Sequence, residues 1–549
     1  MQSERDKKLV QDFLLKFENI KKFRQPYETQ WKEVTKWVVP GKNFWEEIKD
    51  NSPEASSDIY DSTPISAVKI LANGLQGFMA KRGKFFKLNM ESSKALNRPI
   101  PGAVRGYLQV LEQIFNWIFA RSNFYQSINE TFAQGSTIGT VVIYPEEVTG
   151  EDKIIYSVIH PKEVWITENY YKIVDTTFWE KKLTARAIVK RFKDKLEEKF
   201  VKDAEKNPYK EFTVINGVFP REERDIEKID KGNKEFASIW VLKEGGILLE
   251  ESGFDSFPYI VWRWSTEHGG TYGRSPANDA MADILRGNNL KKTLLEASQE
   301  FVHPPLNVPQ EKMGLLDISP RGMNPYDNSG RIITPIQTVG SYPVGIDREQ
   351  DVDNTIKEHF FTNMFLMLNN SMDTERTATE VMELQAEKAS VLGSITARIE
   401  SELFDQIFDR TLAIAVKAGW VPPVPEEMKE FLVNDNIAVD YVGPMAQLQD
   451  RYYDMQMLDS EINRIVNLSQ FFPGILDNVD QDALVDHLLN KSSLPQNLIR
   501  NKRQIAQMRA ARAQQVQEQQ GSENLQKQAS ALKDLGDTNQ ENVAQVMGG

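Results

Sequence analysis

Between Tyr272 and Leu368, two stretches with helical spacing flank a run broken repeatedly by proline and glycine; no other pattern constrains the chain as much. The first stretch opens at Ser275-Pro276. Serine suits an N-cap, and proline suits the first helical position because its missing N–H has no intrahelical partner there. Ala277, Met281, Ile284, Leu285, Leu294, Leu295, Phe301 and Val302 then recur with helical period. His303-Pro304-Pro305 ends the stretch, since consecutive prolines cannot extend a helix and push the preceding residue toward extended backbone. Pro309, Pro320, Pro325, Pro335 and Pro343 punctuate the excursion, with glycines at 314, 322, 330, 340 and 345. Helical spacing resumes from Asp347, through Val352, Ile356, Phe360, Met364 and Met367. At about 1.5 Å of rise per residue the two helices reach roughly 40 and 30 Å. The pattern predicts two long rods joined by a tip.

Upstream, residues 4 to 37 read as amphipathic helices with Leu9, Phe13, Phe17, Trp31 and Val34 inward, broken at Pro26 and ended by Pro40-Gly41. Further helices are expected from Pro64, from Gly102 to Arg121, and after an Asn123 cap. Gly135-Ser136-Thr137-Ile138-Gly139 reads as a small-residue turn from helix to strand. Beyond it, β-branched and aromatic runs at 140–144, 154–159, 176–179, 212–219, 236–242 and 259–264 read as strands, with a charged helix from Thr184 to Lys202 between them. After the second rod, Asn369 to Asp373 is a polar break. Thr377 and Glu380 then form a capping box for a helix that Gly419 ends and Gly393 is placed to bend. The fold class is therefore mainly α with an α+β region. Residues 440–515 look helical, and the tail beyond Arg512 is Gln-rich.

The 549 residues admit two or three ordinary domains or one elongated one. With no cysteine, disulfides and thiolate metal sites are excluded. Met1 to Asp6 has no apolar run behind it, and no apolar stretch reaches membrane-spanning length, so neither a signal peptide nor a membrane helix is expected. A net charge of −13 argues against a general nucleic-acid gripper, which needs clustered Lys and Arg. It suits a wall that repels a passing duplex, and equally a surface kept soluble by charge. The Gly41-Lys42 pair lacks the rest of a phosphate loop, the five histidines are scattered, and Ser136 lacks the setting of a nucleophile elbow. Asp347, Glu349, Asp351 and Asp353 suggest a divalent-metal site, but their spacing distributes them around a helix start. Arg500, Lys502, Arg503, Arg509 and Arg512 form the densest basic cluster, read as a solvated face or a DNA contact. No cofactor and no catalytic constellation is expected.

Tyr272-Gly273-Arg274-Ser275-Pro276-Ala277 with the helix after it, Pro304 to Pro309, and Thr377-Ala378-Thr379-Glu380-Val381 with its long helix resemble the head-to-tail connector (portal) proteins of short-tailed bacteriophages. Phe85-Phe86, Asn123-Phe124-Tyr125 and Gly135-Ser136-Thr137 share in the resemblance, which covers the chain to about residue 470. It implies a non-enzymatic ring subunit of the virion, about twelve copies joined through heterologous interfaces. It assigns a wing to 1–265 and 377–440, stem helices to 266–303 and 347–368, and a clip to 304–346. A channel loop then spans 369–376, a crown 441–512, and a barrel or disordered tail 513–549. The implied partners are duplex DNA in the channel, the packaging terminase, tail adaptors, and the major capsid and scaffold proteins. Pro309, Pro320, Arg321, Pro325, Arg331 and Pro335 would serve docking at the clip. Asn369, Asn370, Ser371, Met372, Asp373, Thr374, Glu375 and Arg376 form the loop, and Asp279, Asp283, Asp351 and Glu358 are the candidate lining charges. Two other readings are a metal-dependent nucleic-acid-processing enzyme of the packaging apparatus and another structural virion component such as a tail adaptor.

Overall fold

The computed structural model describes residues 4–40, 58–83, 85–91, 102–148, 150–192, 196, 198–225, 230–267, 269–302, 306–307, 334–335, 342–365, 392–425, 429, 436–441 and 508. The chain divides into two compact units, Met1–Tyr453 and Asp454–Gly549. Among the described residues, every helix and strand longer than one residue belongs to the first unit. No helix among them is long and apolar enough to cross a membrane.

Helix α1 (Glu4–Val38) continues unbroken past Pro26, against the break expected there. An interior proline costs about 3 kcal/mol, and contacts on both sides of it oppose that cost. Arg24, almost wholly buried, donates to the carbonyls of Pro161, Val164 and Lys162 at 2.6, 2.7 and 3.2 Å. Tyr27 and Trp31 each pack 5.1 Å from the ring of Tyr272. Burial lowers the Arg24 pKa, an effect opposed in part by Tyr272 and Glu28.

Helices α2 (Thr63–Met79), α3 (Gly102–Arg121) and α4 (Phe124–Ile138) follow the expected apolar spacing and surround one large core. Asn123 stands at the N-cap of α4, but its side chain caps nothing. It pairs instead with the backbone of Tyr156, accepting from its N at 2.8 Å and donating to its O at 2.9 Å, and so ties the helix to a strand. α4 ends at Gly139, whose φ of 89° is a conformation that glycine adopts without penalty.

Two antiparallel sheets lie beside these helices. One has the order β3-β2-β9, from β2 (Thr140–Glu147), β3 (Ile154–Ile159) and β9 (Ile260–Arg263). The other is a meander of β4 (Val164–Glu168), β5 (Val174–Thr184), β6 (Glu211–Pro220), β7 (Phe236–Leu242) and β8 (Ile247–Phe254). Strands β4 and β8 were not expected from sequence; each pairs with the neighbouring strand that was, β4 with β5 and β8 with β7. The charged helix expected from 184 to 202 is instead two, α5 (Ala185–Phe192) and α6 (Glu198–Lys206). Strand β1 (Phe86–Met90) pairs with β12 (Ile437–Tyr441), a ladder in which Asn89 and Asp440 are 351 residues apart in sequence.

The rods differ in detail from the expectation. The first is a four-residue turn, α7 (Pro276–Asp279), followed by α8 (Met281–Val302). The second, α9 (Tyr342–His359), begins five residues before Asp347 and breaks at Phe360-Phe361, where Phe361 has a φ of 53°. Between them, β10 (Leu306–Asn307) pairs with β11 (Thr334–Pro335), so the start of the proline-rich excursion meets a segment in its second half. The helix expected from residue 377 is described from 392. It departs from α geometry at a π-helical turn, Ile399–Phe404, beyond Gly393, and continues as α10 (Asp405–Lys417) to a left-handed Gly419.

Candidate functional site

Among the described residues, several of the segments that carried the resemblance meet in space, while Thr377–Val381 and most of Pro304–Pro309 lie outside those residues. Gly139 and Gly273 approach so closely that a Cβ on either would meet the other's carbonyl oxygen, at 2.6 and 2.2 Å. Thr140 Oγ1 accepts from the Gly273 N–H at 2.7 Å, and Ser275 Oγ donates to the Thr137 carbonyl at 2.8 Å. Ser275 forms a reciprocal capping box with Asn278, beginning α7 as its sequence predicts. Phe85 stacks on Phe124 at 6.0 Å and tilts against Phe404 and Phe408 at 5.9 and 6.2 Å. These blocks are therefore structural: they fix where the first rod leaves the body.

Once launched, α8 lies against α9. Ile284, Val352, Ile356 and Phe360 bury their shared face in the main core. Farther along, a polar clasp joins the apolar contacts that Leu290 makes with the core and Leu294 with Gly345. The Lys291 ammonium donates to Asp61 at 2.6 Å and Asp353 at 2.8 Å, with Glu349 at 3.8 Å. Burial opposes this charge, but the hydrogen bonds to Asp353 and Asp61 outweigh it and raise the Lys291 pKa above the ordinary lysine value. Asn288, one turn earlier, accepts from the backbone N–H groups of Tyr60 and Asp61 and donates to the carbonyl of Asp58. The clasp joins three parts of the chain: the segment before α2, α8 and α9.

Sequence reading missed Lys291. The signal was present, because Ile284, Asn288 and Lys291 keep the apolar register of α8, as Glu349, Val352, Asp353 and Ile356 keep that of α9. The acids at 347–353 accordingly divide, Glu349 and Asp353 toward Lys291 and the exposed Asp347 and Asp351 toward solvent. They do not converge on one point, and among the described residues no group of three or more potential ligands could hold a metal ion.

Three of the four candidate lining charges come together. Asp279 and Glu358 line one cleft of about 340 Å³, walled by Trp264, Pro276 and Phe361 and containing His359. Asp283 lies 3.6 Å from His359 and 3.7 Å from Arg286. Asp279 is already paired with Arg274, whose pKa the hydrogen bond to that carboxylate raises. Asp351 is exposed and stands two turns before Glu358, on the same side of α9 as Asp347. The helix pair thus turns an acidic strip to solvent. Of the clip residues, only Pro335 falls among those described, as backbone of β11. Pro309, Pro320, Arg321, Pro325 and Arg331 lie outside them, as do the whole of 369–376 and the basic cluster at 500–512, including Arg509.

Similarity to known proteins extends along nearly the whole chain. A probable portal protein of Bordetella phage BPP-1 is 28% identical over 543 residues, which cover 95% of this chain and 94% of that one. The portal protein of Salmonella phage epsilon15 is 26% identical over 531 residues, 94% of each. The resemblance read from the motif blocks is borne out. The family described as bacteriophage head to tail connecting protein matches residues 11–499, and the chain belongs to it.

Proposed function

We propose that this chain is the portal subunit of a short-tailed phage, a structural protein whose copies form the ring at one capsid vertex through which duplex DNA is packaged and ejected. The observation that carries this reading is the end-to-end correspondence with two proteins named as portals, each covered over 94% of its length. Helices α8 and α9 supply the stem. The excursion that contains β10 and β11 supplies the clip, where terminase and later tail adaptors dock. Residues 369–376 supply the loop facing DNA, and the β-meander with the helices around it supplies the wing. The ring is built in the host cytoplasm with scaffold and major capsid proteins and remains in the virion.

The mechanism is passive. A separate motor does the work, and the ring provides a hole, a docking rim and an acidic lining. Asp351, on the solvent side of α9, repels phosphates that would otherwise adhere. Arg376 is the one cation in the loop and the group placed to touch phosphate.

Electron microscopy of the purified protein tests the reading. A closed ring with an axial hole wide enough for a duplex is expected, whereas a compact particle of low copy number that cleaves DNA with Mg²⁺ would replace it with the enzymatic alternative. For the loop, Arg376→Ala should alter DNA retention in filled heads, and unchanged packaging and retention would remove Arg376 from this role.

A further inference from the structure

The hairpin between β4 and β5 presents to solvent the kind of residues that usually seek cover. Tyr170 and Tyr171 are 93% and 78% exposed and meet edge to face at 5.3 Å. Lys172 beside them holds a left-handed backbone, φ 60°, and its ammonium meets no carboxylate among the described residues. The tip is rigidly tied down. Asn169 Oδ1 accepts from the N–H groups of Tyr171 and Ile173, and the buried Arg263 binds Glu168 and the carbonyl of Lys172. An exposed aromatic pair on a braced turn loses little conformational entropy on docking.

The cleft at the base of the rods has the complementary chemistry. Trp264, Pro276 and Phe361 supply apolar walls, while the exposed Glu358 carboxylate has no ion-pair partner among the described residues. Phe361 and Lys172 are the two non-glycine residues with left-handed backbone among those described, one at the cleft and one at the tip. Strand β9 separates the two features. Ile260, Trp262 and Trp264 pack into the helical core, while Tyr259 and Val261 pack into the cluster that includes Val164, Ile166 and Val174 of the hairpin strands. By alternation Arg263 faces the hairpin and Trp264 the cleft. A knob tied to one face and a socket on the other cannot satisfy each other within one chain, yet they suit a head-to-tail contact between identical chains.

We propose that the Tyr170-Tyr171-Lys172 tip of one subunit docks into the Trp264–Phe361 cleft of a second copy, with Lys172 meeting Glu358. The inference rests on the ring proposed above and names a contact that would close it. Because the chain contains no cysteine, introduced thiols report on this contact alone. Full-length protein carrying Tyr170→Cys and Glu358→Cys, oxidised mildly, should give a ladder of covalent oligomers on a denaturing gel, and neither single variant should. Lys172→Glu should reduce ring yield at least tenfold, and adding Glu358→Lys should restore it. Rings of the parent protein by microscopy, with no ladder from the double variant, would overturn the contact and leave the portal reading standing. In that case, knob variants that form rings but fail to enter capsids would assign the tip to the shell. A parent protein that forms no ring would overturn both.

Discussion

Helix α4 and the far half of α8 show how differently two helices of one chain are held. Of the fifteen residues of α4, nine are buried, including Phe124, Ile128 and Phe132. Residues 291–299 of α8 include no buried side chain, and Leu295 there is 46% exposed. The first helix is fixed by apolar packing within its own chain. Among the described residues, the second has its last buried side chains at Ile284 and Asn288; beyond them it is held by Lys291, whose charge answers three acids, with Leu294 against Gly345. Helices in proteins draw most of their stability from packing one face, and for this half of α8 that face is the edge against α9.

The sharpest test of this contrast is in the aromatic centre. Phe119 stacks on Phe124 at 4.1 Å and touches Phe85, Phe86, Phe115 and Phe408. Phe119→Ala should destabilise the first unit by about 3–5 kcal/mol in denaturant unfolding, an effect no substitution in residues 292–299 should approach.

Next comes the clasp. Lys291→Met leaves Asp61, whose side chain is 1% exposed, without its cation and should cost about 3 kcal/mol. Adding Asp61→Asn should recover much of the loss, because the stranded charge is gone. The pH dependence has a definite sign. Because the folded Lys291 pKa is raised, its contribution is complete below the unfolded lysine value of about 10.4 and disappears as pH rises through the folded value. The gap between parent and Lys291→Met should therefore narrow only under strongly alkaline conditions. A gap that vanished at neutral pH would mean that apolar contacts hold the helix pair after all.

Gly139→Ala should cost about 2 kcal/mol from the left-handed backbone alone, with the close approach to Gly273 adding to it. The smallest effect is expected on the acidic strip. Asp351→Ala should change stability by less than about 0.5 kcal/mol while altering DNA passage in assembled particles. A large stability loss would show that this acid serves the fold.

Much of the helical framework was legible because its signals are local. Ser275-Pro276 starts a helix, Gly139 and Gly419 end helices, and the apolar period of α2 to α4 specifies a buried face. Pro26 misled because the contacts that offset it come from Pro161, Lys162, Val164 and Tyr272, more than a hundred residues away. The pairing of Phe86 with Tyr441 was invisible for the same reason. Among the site residues, Asp279, Asp283 and Glu358 could be named from sequence as acids on rods, but not as neighbours around His359.

The sequence alone determined the family, the two rods, the broken excursion between them and the absence of thiol chemistry, because order, period and composition are properties of the chain itself. Only the tertiary structure decided which acids are spent on Lys291 and which face solvent, and that a braced tyrosine tip and an acidic aromatic cleft stand on opposite faces of β9. Those outcomes depend on which distant segments meet, and burial and charge pairing are settled only when they do.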